Sequence, residues 1–134
     1  MSHKVLQPGN WPAPSGYSNG ILAQGRQVFV AGQIGWNARA ELVSDDFTQQ
    51  ARQALENVNA VLREAEAAPE HIVRMTWYVT NKLEYLSCRN AVGAAYREIM
   101  GGHYPAMTLI EVLGLLEDGA KVEIEATAVV PATD

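Results

Sequence analysis

The chain has 134 residues, of which 48% are hydrophobic, and a formal net charge of −5. That length suits one packed core, so residues 1–134 are expected to form a single domain. The acidic balance removes the general attraction that nucleic acid or an anionic membrane would need, and no apolar run approaches the roughly 20 residues that span a bilayer.

Residues 1–20 are rich in Pro, Gly, Ser and Asn and lack the apolar stretch of a signal peptide, which predicts an irregular or loosely paired start. Cys88 is the only cysteine, so no internal disulfide is possible and a reducing cytoplasm is the expected setting. Residues 26–34 (RQVFVAGQI) predict a strand ending at AGQIG, where glycines permit a bulge. Residues 45–66 predict a helix capped by Ser44, with Phe47, Ala51, Leu55, Val58, Leu62 and Ala65 as its apolar stripe.

Residues 71–80 (HIVRMTWYVT) predict a strand, with Val73, Met75, Trp77 and Val79 on one face and Ile72, Arg74, Thr76, Tyr78 and Thr80 on the other. A second helix is expected over 83–100, striped by Cys88, Val92, Ala95, Tyr96 and Ile99 and stopped by Gly101 and Gly102. Strands follow at 106–113 and 121–130; in the latter Val122, Ile124, Ala126 and Ala128 face one way, with Lys121, Glu123, Glu125 and Thr127 opposite. The order β(β)αβαββ describes an α+β, two-layer domain: a mixed sheet with two helices on one face. Its other face stays bare, and self-association is the economical way to cover it.

The segments PSGYSNGI (14–21), VFVAGQIG (28–35), QARQALENVNAVLREAEA (50–67), HIVRMTWYVT (71–80), HYPAMTLIEV (103–112) and KVEIEATAV (121–129) carry a resemblance along almost the whole chain. In that order they resemble the reactive-intermediate deaminases, the RidA family, formerly called endoribonuclease L-PSP-like. The resemblance implies a fold like chorismate mutase and a homotrimer whose sheets line a central barrel, with small-molecule clefts between subunits. It also implies hydrolysis of small enamines or imines to a carbonyl compound and ammonia without a cofactor.

By the same resemblance, Glu123, the first Glu of VEIEA, orients the hydrolytic water, and Tyr17 closes the cleft. Periodicity alone leaves Glu123 an exposed strand carboxylate beside Glu125. Gly32 and Gln33 correspond to cleft-lining backbone, Asn90 to a helix asparagine, and Leu109 to a position whose main chain holds the water. Met107 stands where deaminating members carry an arginine that grips the substrate carboxylate with a two-pronged hydrogen bond. A methionine offers only an apolar wall there. The expected substrate is therefore an imine or enamine without a free carboxylate, its body suited to Met107 and Trp36. Arg74, Arg89 and Lys121 are the cations that would replace the missing charge from elsewhere. A trimer that binds a small ligand or a protein without chemistry is the alternative.

His3, His71 and His103 are not spaced as metal ligands, so no metal site is expected. The family's reported link to RNA cleavage finds no basic patch to support it here.

Overall fold

In a computed structural model that describes residues 3–132, ten elements contain the predicted order, with a further N-terminal strand, a 3-10 turn and a divided second helix added to it. A short hairpin, β1 (Lys4–Leu6) with β2 (Gly20–Leu22), gives the start more pairing than its composition suggests. Strand β3 (Arg26–Gln33) leads into helix α1 (Phe47–Glu64), whose Ala51, Ala54, Leu55, Val58 and Leu62 are fully buried. The cap differs from expectation. Asp46 caps the helix by accepting from the Gln49 N–H at 3.0 Å, and Ser44 instead accepts from the Asp46 N–H.

Pro69–His71 form a 3-10 turn, so the next strand, β4 (Ile72–Val79), starts one residue later than expected. The second helix is two: α2 (Lys82–Ser87) and α3 (Arg89–Met100), parted at Cys88. The cause is local. The Ser87 hydroxyl and Cys88 thiol both donate to the Glu84 carbonyl, competing with the backbone ladder. Strands β5 (Ala106–Glu111) and β6 (Val122–Val130) complete the fold.

The main sheet runs β3-β6-β4-β5. Strand β6 is antiparallel to both neighbours, whereas β5 lies parallel to β4, which requires the α2–α3 crossover between them. Strand β6 alternates as predicted: Val122, Ile124, Ala126 and Ala128 are buried under the helices. Strand β4 departs from its expected alternation. The register slips by one residue between Ile72 and Arg74, so Ile72 pairs with Ala128 and turns into the core with Met75 and Trp77. A second slip between Val30 and Gln33 places a bulge at Ala31–Gly32, as the glycine suggests.

The side away from the helices carries Phe29, Arg74, Tyr78, Ile110, Glu123 and Glu125, with Phe29 71% exposed. Among the described residues no helix is long and apolar enough to cross a membrane.

Candidate active-site cleft

A cleft of about 660 Å³ opens where the N-terminal loop, α2–α3 and the edge strand β5 meet. The Ser18 N–H donates to the Pro105 carbonyl at 2.9 Å and its hydroxyl to the Tyr104 carbonyl, which fixes Tyr17 at the mouth. Met107 and Leu109 pair with Met75 and Trp77, so their side chains share the helix side and form one wall. Asn90 lies on the α3 side with Arg89, Gly93 and Arg97.

Trp77 sits on the cleft wall, only 3% exposed, and its indole Nε1 finds no acceptor among the described residues. A buried donor left unpaired costs about 1–3 kcal/mol. Stacked Tyr96 and Tyr104, 5.4 Å apart, close the floor.

Tyr17, Met107, Leu109 and Asn90 thus come together, and a second group forms elsewhere. Glu123 pairs with Tyr78 and so points from the opposite side of the sheet to Met107 and Leu109. Its carboxylate lies against the bulge at Gly32, where an added Cβ would overlap it, with the carboxyl carbon only 2.8 Å away. A side chain at 32 would push the carboxylate off this seat. Gln33 follows on the same strand, and Trp36 in the next loop bridges to Leu42, away from the cleft. The two glutamates differ. Glu125 accepts a 2.6 Å hydrogen bond from the Tyr78 hydroxyl, whereas Glu123 receives no hydrogen bond among the described residues.

Of the substitute cations, only Arg89 lines the cleft. Arg74 lies on the open side of the sheet with Glu125, and Lys121 pairs with Glu84 at 3.1 Å. Arg97, Gly93, Tyr85, Trp77 and Tyr104 were not read from the sequence as cleft residues. A signal existed for the first two: 89, 93 and 97 recur every four residues on the polar side of the helix.

Two phenols of the cleft, Tyr85 and Tyr96, hold their protons firmly. Burial pushes Tyr85 upward against a smaller opposing pull from Arg89, and burial, aided slightly by Tyr104, pushes Tyr96 far above its ordinary 10.0. Because the folded chain holds the Tyr96 proton more tightly than the unfolded chain, its stabilising effect is full below pH 10 and fades as pH rises above it. Tyr96→Phe loses the 2.9 Å bond to the His103 carbonyl, which should lower stability at pH 8. It should also flatten the decline between pH 9 and 11, measured as urea midpoints. An unchanged slope would refute the burial of this phenol.

The model of the endoribonuclease L-PSP family matches residues 9–130. A 2-iminobutanoate/2-iminopropanoate deaminase of Salmonella typhimurium is 35% identical over 130 residues, covering 94% of this chain and 97% of its own. Among solved structures, a Rid-family protein of unknown function from Yersinia pestis superposes with a TM-score of 0.86 at 35% identity, covering 97% and 100% of the two chains. RidA from a Psychrobacter species superposes at 0.68 with 26% identity, covering 95% and 99%. With its fold, its motifs and these likenesses in agreement, this chain belongs to the RidA family, the one also described as endoribonuclease L-PSP.

Proposed function

We propose that the protein hydrolyses a small imine or enamine to a carbonyl compound and ammonia, in clefts completed between copies of the chain in a homotrimer. The observation that carries this reading is the free Glu123 carboxylate, seated on Gly32 while Glu125 is tied to Tyr78. In one chain Glu123 and the Met107–Leu109 wall lie on opposite sides of the sheet. A neighbour's Glu123, brought to the edge of β5, would join the two half-sites, and the same contact would cover Phe29 and Ile110.

The chemistry asks for one proton carrier. Glu123 accepts a proton from water as the water oxygen attacks the imine carbon and passes that proton to the imine nitrogen, giving a carbinolamine. It then takes the carbinolamine hydroxyl proton and delivers it to the nitrogen as the C–N bond breaks, releasing ammonia and leaving the carbonyl. The Leu109 main chain and the Tyr17 phenol position the water and cover the substrate. Met107 leaves the reacting carbon beside an apolar wall, so the substrate class is an imine or enamine with no carboxylate on that carbon.

The test is a coupled assay in which an oxidase releases imines and the extra rate of carbonyl formation is recorded. Wild-type protein should accelerate an alkyl or aryl imine and act poorly on 2-iminopropanoate. Met107→Arg should raise the latter about ten-fold or more, the worth of one charged hydrogen bond. No acceleration of any imine would leave ligand binding without chemistry as the role. Light scattering that returns a 14.6 kDa monomer at micromolar concentration would sink the shared cleft.

A further inference from the structure

We propose that Arg97, with Arg89 beside it, anchors an anionic group of the substrate held apart from the reacting carbon, so that the cleft takes imines carrying a remote carboxylate. The inference builds on the proposed imine hydrolysis and names its substrate class.

Three observations support it. The first is charge. In a protein of net charge −5, the cleft is lined by two guanidinium groups and, among the described residues, by no carboxylate. The acidic neighbours are engaged elsewhere: Glu98 pairs with Arg52 at 2.7 Å and Glu84 with Lys121 at 3.1 Å. Arg89 and Arg97 have no ion pair among the described residues.

The second is shape. A helical side chain leans back toward the N-terminus of its helix, over the residue four before it. Arg97 does so, its Nη1 standing 3.5 Å from where a Cβ on Gly93 would be. Alanine would fit at 93 in ordinary contact and favour the helix, yet glycine stands there and keeps the groove beneath the guanidinium open.

The third is the unpartnered Trp77 N–H on the strand side of the same cleft, a donor that a ligand oxygen would satisfy. Opposite the arginines, Met107 rejects charge. The cleft therefore has an apolar end and a cationic end, and the ligand that matches both has an apolar reacting end and an anionic tail.

The experiment uses the full-length protein and two substrates. One is the imine of 5-oxopentanoate, generated by an amine oxidase from 5-aminopentanoate; the other is the imine of its methyl ester. Wild type should prefer the carboxylate in kcat/KM by about ten- to a hundred-fold, as expected for a charged hydrogen bond. Arg97→Ala should bring that ratio near one, chiefly through KM, and Arg97→Lys should restore part of it. A second arm needs no turnover. Calorimetry with 5-oxopentanoate should show binding to wild type and a loss of about ten-fold or more in Arg97→Ala. Gly93→Leu, which favours the helix, should fill the groove and weaken binding while the melting temperature holds or rises. Binding that depends on Arg97 without turnover of any imine would keep this inference and overturn the proposed reaction. Turnover that ignores the carboxylate, with binding indifferent to Arg97, would overturn the inference and keep the reaction.

Discussion

Gln50→Leu is expected to lower the melting temperature by about 10 °C, corresponding to roughly 3 kcal/mol in a chain of this size. Gln50 is fully buried in α1 and every arm of its amide is engaged. Its Nε2 donates to the Ser44 carbonyl at 2.9 Å and to the Gly119 carbonyl at 3.0 Å, while its Oε1 accepts from the Lys121 N–H at 2.8 Å. One side chain thus ties the entry to α1, the turn before β6 and the first residues of the glutamate-bearing segment. Leucine matches the volume but leaves two carbonyls and an N–H without partners, each costing about 1–3 kcal/mol where water cannot reach. Gln49→Leu, one residue earlier and exposed, should shift the midpoint by no more than about 0.5 kcal/mol. A Gln50→Leu protein that melts with the wild type would show that the turn finds other partners.

Glu123→Gln is expected to reduce imine hydrolysis by about 10²–10⁴-fold in kcat, the usual worth of a positioned acid–base group. The amide keeps the size and planarity of the carboxylate, so its seat on Gly32 is preserved and only basicity is lost. Because no protein donor bonds Glu123 among the described residues, the fold should be indifferent and the melting temperature unchanged. Glu125→Gln is the matched control. Its Oε1 still accepts from Tyr78, and turnover should stay within the scatter of wild type. Equal activity for all three proteins would remove the water-orienting role from Glu123.

The fold was legible because each strand and helix carried its own period. The stripe of α1 and the alternation of β6 appear in the structure as read, since one buried side per element is what those patterns encode. Three details were not readable. The bulge that turns Ile72 inward depends on pairing with Ala128, a partner 56 positions away. The break at Cys88 comes from side chains bonding a carbonyl within one turn, which leaves the apolar stripe intact. The cap moved from Ser44 to Asp46 because both are good cap residues and only the backbone path chooses between them. At the site, the motifs supplied Tyr17, Met107, Leu109 and Asn90, which share one cleft, whereas Arg97 was visible only as a polar helix position. No periodicity argument could show that Glu123 and Met107 stand on opposite sides of the sheet, because that needs the register across β4.

The contact between Gly32 and Glu123 also limits how the chain can diverge. The glutamate carboxylate occupies the space that a side chain at 32 would take, so a change at 32 dislodges the acid, whereas position 123 can change on its own. An alanine at 32 costs the acid its seat, so it is neutral for this half-site only in a lineage that has already shortened or lost the acid, and by then little holds the glycine in place. The two positions form a single heritable unit spread over two strands. Loss of the carboxylate opens the way to filling the bulge, and a filled bulge makes the return to glutamate a double mutation: decay of this half-site is easy in one direction and rare in the other.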